Sequence, residues 1–123
     1  MNVIKFKATV TEIGPLVSEF INADILVFFG EDTPEELREF SIIHNGEKLE
    51  KDIIPGDQII IDDSTYKVLA VGNVANLNLA NLGHLIIKFN GLTEAKLPGD
   101  VCVEKKAIQP INIGTVLTIV GDD

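Results

Sequence analysis

The chain of 123 residues has one cysteine, Cys102, no tryptophan, one tyrosine and only two histidines, His44 and His84. A lone cysteine excludes an internal disulfide and fits a reducing compartment. Set between Val101 and Val103 with no His or Arg beside it, Cys102 reads as a packing residue rather than an activated thiol. One Cys and two dispersed His lack the paired ligand spacings of zinc sites, and neither a P-loop nor a dinucleotide fingerprint is present, so no metal or cofactor is expected. Positive charge is also scarce, with 10 Lys and Arg against 19 Asp and Glu and a net charge of −9. That balance opposes nucleic-acid binding, which needs a basic face to neutralise phosphates, and it opposes docking on anionic lipid. It suits a basic protein partner drawn in by opposite fields, and equally a surface charged only for solubility. No apolar run is long enough to span a bilayer, and Met1–Lys7 lacks the apolar stretch of a signal peptide, which predicts a cytoplasmic protein with no direct membrane insertion.

What is abundant is branched aliphatic side chain. Hydrophobic residues make up 46% of the chain and aromatics 6%, so the core must come mainly from Ile, Leu and Val, which suit strands. The length predicts one domain, 1–123, with a single core. Val3 to Ile13 alternates with Ile4, Phe6, Ala8 and Val10 on one face, and Ala23 to Phe29 is solidly apolar, as expected of a strand buried on both sides. Thr33-Pro34-Glu35-Glu36 carries an N-cap candidate followed by proline, the start of a short helix to about Glu39. A strand from Phe40, a hairpin turning at Asp63-Ser64, and strands over 85–89, 101–104 and 116–120 follow, with a helix over 74–82 closed by Gly83. The tail Gly121-Asp122-Asp123 is expected to fray, and a terminal strand could pair with a second copy. Many short strands punctuated by Gly and Pro, with one or two short helices, predict an all-β barrel or barrel-like sandwich.

One residue breaks the pattern. In Phe40-Ser41-Ile42-Ile43-His44, alternation places Phe40, Ile42 and His44 on one face, so an imidazole stands where a third apolar side chain belongs. It is either a hydrogen-bonded histidine at the rim of the core or a nucleophile mounted on a strand. A related pattern recurs 45 residues on: Asn45-Gly46 falls on Asn90-Gly91, His44 falls on Phe89, and Ile54-Pro55-Gly56-Asp57 is followed by Leu97-Pro98-Gly99-Asp100. This predicts an internal duplication in which histidine replaces a core residue in one copy, favouring a local function.

The ordered set Phe40-x-Ile42-x-His44-x-Gly46, Pro55-Gly56, Val68-x-Ala70-Val71-Gly72, Leu82-Gly83-His84, Phe89-x-Gly91-Leu92, Pro98-Gly99 and Ile113-Gly114-x-Val116-Leu117 resembles the glucitol/sorbitol-specific IIA component of the sugar phosphotransferase system from end to end. The resemblance implies an all-β cytoplasmic phosphotransferase component without cofactor. Such a protein accepts phosphate from the phosphorylated histidine-containing carrier protein and passes it to a cysteine of the cognate IIB domain, in a pathway ending at membrane components. By the same resemblance His44 is the phosphorylated residue and Nε2 the attacking atom. Phosphoryl transfer asks the site to position and stabilise negative oxygens. Candidates to do so are the Asn45-Gly46 amides, the Asn45 side chain, Lys48 and His84, the last also readable as a helix-ending histidine bonding a last-turn carbonyl. A binding or regulatory barrel that has kept the fold without phosphotransfer is the alternative, and a negative chain with few aromatics is a poor oligonucleotide binder.

Overall fold

The computed structural model describes residues 2–122. Among them are eight strands, β1 (Asn2–Ile13), β2 (Ile25–Gly30), β3 (Ile42–His44), β4 (Gln58–Ile61), β5 (Ser64–Val71), β6 (Leu85–Lys88), β7 (Asp100–Val103) and β8 (Val116–Asp122), with helices α1 (Val17–Asn22), α2 (Glu35–Arg38) and α3 (Ala75–Leu82). The strands close into a barrel in the order β1-β3-β2-β6-β7-β5-β4-β8. Pairs β2–β3 and β6–β7 are parallel and the others antiparallel. Closure leaves no free edge, so the expected pairing of a terminal strand with a second copy has no strand to use: β8 is bonded to β1 and β4. Nor does the tail fray through Gly121 and Asp122, which belong to β8; Asp123 lies outside the described residues.

Alternating side chains fill the barrel. Phe6, Ala8, Val10, Leu26, Phe28, Ile42, Ile59, Ile61, Val68, Ile87, Val101, Leu117 and Ile119 form one cluster. The solid apolar run of β2 is explained by a second, outer cluster, in which Val27, Phe29 and Ile43 pack with Phe20, Leu37 and Phe40 beneath α1 and α2. Phe40 therefore does not share the inner face of Ile42 and His44: β3 begins only at Ile42, after Ser41 N–H bonds back to the Arg38 carbonyl. Cys102 is buried and accepts a bond from Asn90 Nδ2, at 3.7 Å.

Three local expectations change. A bulge between Ile4 and Phe6 in the β1–β8 ladder flips the side-chain parity, leaving Ile4 55% exposed and burying Lys5. Thr33 does not cap α2, because its hydroxyl donates to the Gly30 carbonyl and Pro34 takes the cap position. The hairpin turns at Asp62-Asp63, with Asp62 at φ 49°, one residue earlier than expected, and α1 is an additional helix. The expected helix over 74–82 is α3, ended by Gly83 in the left-handed conformation at φ 65°.

Candidate functional site

His44 ends β3, and three backbone features converge on it. In the parallel β2–β3 ladder it pairs with Gly30, and Gly83, which follows α3, closes against that same glycine. The approach requires glycine at 83: a Cβ there would lie 2.8 Å from Gly30 N and 3.0 Å from His44 Cε1, in a backbone conformation that other residues also resist. The Gly83 carbonyl is thereby brought 2.8 Å from His44 Nε2. On the other side of the ring, the chain turns after β3 so that Gly46 N–H meets Nδ1 at 2.9 Å. A carbonyl only accepts and an amide only donates, so the tautomer follows: the proton is on Nε2 and the lone pair on Nδ1. The Phe6 ring stands at 88° to the imidazole with centroids 5.6 Å apart, and Phe28 presents a tilted ring at 6.3 Å.

His44 is 1% exposed and both of its ring nitrogens are hydrogen-bonded. His44 nevertheless contributes to the lining of a cavity of about 580 Å³. One wall is the segment from Phe29 to Leu37, another is residues 79–83, and the third is Asn45–Glu47. Burial pushes the His44 pKa below 6.5, against smaller opposing effects of the Gly83 carbonyl and the Glu31 charge, so the ring is neutral at physiological pH. A neutral, sterically fixed imidazole with a defined lone pair is chemically a nucleophile.

Comparison with known proteins now bears on what such a ring does. The family model for the PTS system glucitol/sorbitol-specific IIA component matches residues 5–118. The chain belongs to this family. It is 38% identical over 112 residues to the PTS system glucitol/sorbitol-specific EIIA components of Shigella flexneri and of Escherichia coli strain K12, covering 91% of this chain and of each relative. A solved structure described as the PTS system IIA component from Enterococcus faecalis V583 superimposes with a TM-score of 0.80 at 27% identity, over 90% of this chain and 96% of that one. A phosphotransfer role follows from membership, as do carrier and IIB proteins as partners. Among the described residues no helix is long and apolar enough to cross a membrane.

Within this IIA barrel the candidate phosphoryl contacts separate. Gly46 touches the ring. Asn45 borders the cavity, but its Oδ1 accepts the Thr9 amide at 2.9 Å and its own N–H donates to the Thr9 carbonyl, which commits the residue to β1. Lys48 is exposed on a neighbouring groove with Ile4, Lys7 and Glu50. His84 neither bonds His44 nor a last-turn carbonyl through its ring: it stacks on Phe29 at 4.0 Å and 12°, and Nδ1–H donates to the Phe28 carbonyl of β2 at 3.2 Å. Burial lowers its pKa as well. The Gly83 carbonyl and Glu31 were not among the expected site groups; Gly83 was visible in sequence as a helix stop and as part of Leu82-Gly83-His84, and Glu31 only as one acid among many.

Proposed function

We propose that His44 is the residue on which this IIA component carries phosphate, receiving it from the phosphorylated histidine-containing carrier protein and surrendering it to a cysteine of the cognate IIB domain during glucitol/sorbitol uptake in the cytoplasm. The observation that supports this most is the placement of a neutral imidazole, held between two backbone groups, against a cavity whose other lining residues include no second imidazole. Both nitrogens are engaged at rest, so acceptance exchanges one hydrogen bond for a bond to phosphorus. The protein acts as a transferase with itself as the intermediate acceptor, and the positioning of reacting groups, rather than a bound metal, is what the reading needs.

The test is phosphorylation with the phosphorylated donor followed by mass spectrometry. A single added phosphate that is lost in acid, survives base and maps to residue 44 is expected, with none on His44→Gln. The folded wild-type protein remaining unmodified would leave a barrel that retains the architecture without the transfer.

A further inference from the structure

We infer that the exposed face of α3 is the surface on which the phosphoryl donor protein docks, its apolar side chains meeting Leu77 and Leu82 while its cationic groups meet the acidic rim across the cavity; this rests on His44 being the carrier residue. The barrel itself supplies the comparison that carries the inference. Exchanging β1 with β5, β2 with β6, β3 with β7 and β4 with β8 reproduces the cyclic strand order, read in the opposite sense, together with the two parallel pairs. Equivalent residues lie 58 apart, not the 45 that the turn sequences suggest. Gly56 and Gly114, at φ 100° and 97°, donate to the Val68 and Val10 carbonyls, and the amides of Val68 and Val10 donate back to the Asp57 and Thr115 carbonyls. At the same offset the Val17 and Ala75 amides open α1 and α3 by bonding the Gly14 and Gly72 carbonyls. The two helices are therefore twins.

The twins differ in what they show to water. α1 buries Val17, packs Phe20 against Phe40 with ring centroids 5.6 Å apart, and exposes Ser18, Glu19 and Asn22. α3 buries Ala75 and Leu79, but where its twin has Glu19 and Asn22 it exposes Leu77 and Ala80, with Leu82 beyond them. Leu77 is 60% and Leu82 57% exposed, so neither contributes much to the packing of the helix on the barrel. The fold does not require apolar residues there, because α1 occupies the equivalent place without them. Charge has been left out of the region as well: Val68 to Ile87 contains no Asp, Glu, Lys or Arg, in a chain that is 24% charged. Leucines exposed to this extent gain free energy only when something covers them.

The face is continuous with the site. Leu77 shares its side of the helix with Ala80 and Asn81, three and four residues on, and these two line the His44 cavity together with Leu82. Among the described residues no part of α1 lines it. A protein that brings a phosphohistidine to His44 must cover this rim. Glu31, Asp32 and Glu47 stand on the other walls, so the mouth is apolar along α3 and acidic elsewhere. A donor whose phosphohistidine lies between apolar side chains on one side and Lys or Arg on the other fits it in a single orientation, the charges guiding its approach and the leucines holding it once docked. A second copy of this chain is the poorer occupant, because each acidic rim and each net charge of −9 would face another of the same sign.

Initial rates of phosphate uptake measured against the concentration of phosphorylated donor separate docking from chemistry. Leu77→Asn should raise KM for the donor by about tenfold and leave the maximal rate and the salt dependence at their wild-type values. Leu77→Met should keep the wild-type KM, and so should Glu19→Gln on the twin helix. A KM that Leu77→Asn leaves unchanged, or that Glu19→Gln raises equally, overturns the inference while leaving His44 as the carrier. Titration of the nitrogen-15-labelled wild-type protein with unphosphorylated donor should shift the amides of residues 77–82 and leave those of α1 in place; shifts confined to other elements overturn it. Sedimentation that shows a wild-type dimer dissolved by Leu77→Asn also overturns it and assigns the face to a second copy. Absence of phosphate from residue 44 removes the carrier reading and this inference together.

Discussion

At the scale of single residues the site is governed by what surrounds one imidazole. His44 was legible because it broke an alternation, an inward position filled by a ring that titrates near neutrality. Its partners were not, since Gly83 lies 39 residues away and meets the ring only because β2 and β3 run parallel with Gly30 at their common end. Which nitrogen holds the proton depends wholly on those partners, so no reading of the residue itself could supply it. The same burial makes a prediction for stability. The folded protein holds His44 and His84 below 6.5, whereas in the unfolded chain each protonates at about that value. Above it both states are neutral and the histidines contribute no pH dependence; below it the unfolded state binds protons that the folded state refuses, so stability falls as pH drops. Urea unfolding between pH 7.5 and 5 should show that loss, and His84→Gln should flatten part of it. The same variant should take phosphate from the donor at the wild-type rate and extent, since the His84 ring faces Phe29 and the Phe28 carbonyl. A slowed transfer in that variant would place His84 in the site.

At the scale of elements, most strands could be read from alternation, and α3 from its Gly83 stop. The failures have a common cause: local pattern does not register a partner strand's irregularity. The bulge opposite β8 turned Lys5 inward, and no periodicity in Val3–Ile13 forecasts it. What makes the buried lysine tolerable is a turn. Asp57 Oδ2 accepts Lys5 Nζ at 2.7 Å and the Ile54 amide at 2.9 Å, and Lys5 Nζ also donates to the Asp52 carbonyl. The arrangement recurs at the related Leu97-Pro98-Gly99-Asp100, where Asp100 Oδ2 accepts Lys88 Nζ at 2.9 Å and the Leu97 amide at 3.3 Å. The pairs differ in burial: Lys5 and Asp57 are 2% and 3% exposed, while Lys88 is 23% exposed over an Asp100 at 1%. Removing one partner of a buried pair strands the other charge, so Lys5→Met should lower unfolding free energy by about 3–5 kcal/mol. Lys88→Met should cost less, because water reaches the lysine end and can take over part of its role. Chemical denaturation of the two variants side by side checks the order, and equal losses would mean that exposure at Lys88 does not relieve its partner. Gly46→Ala belongs to the same test, since its Cβ would overlap Phe6 Cζ and come 2.8 Å from Ala8 Cβ, an overpacking cost of roughly 1–3 kcal/mol.

At the scale of the whole molecule, closure of the barrel was anticipated as a class, but the crossing order was not, because the parallel β2–β3 and β6–β7 pairs depend on contacts far apart in the chain. Closure decides how the protein can meet partners. With no strand edge open among the described residues, association through them must use side chains and surface charge rather than ladder extension. The net charge of −9 is a field felt by any partner before contact, and Glu31, Asp32 and Glu47 bring part of it to the rim of the cavity holding His44. A donor with a basic docking face would be steered there, and steering weakens once the Debye length shrinks to about 10 Å at 0.1 M salt. The bimolecular rate of phosphate uptake should therefore fall by roughly tenfold between about 10 mM and 0.5 M salt, with the extent of labelling unchanged, since a screened encounter slows arrival and leaves the chemistry after docking intact. Stopped-flow or rapid-quench measurement across that range tests the field as a whole, and the triple neutral variant Glu31→Gln, Asp32→Asn, Glu47→Gln tests its local share. That variant should show a shallower salt dependence than wild type. If the slopes coincide, the steering resides in the distributed charge of the barrel and not at the mouth of the site; if neither protein responds to salt, encounter is not electrostatic and the acidic surface serves solubility alone.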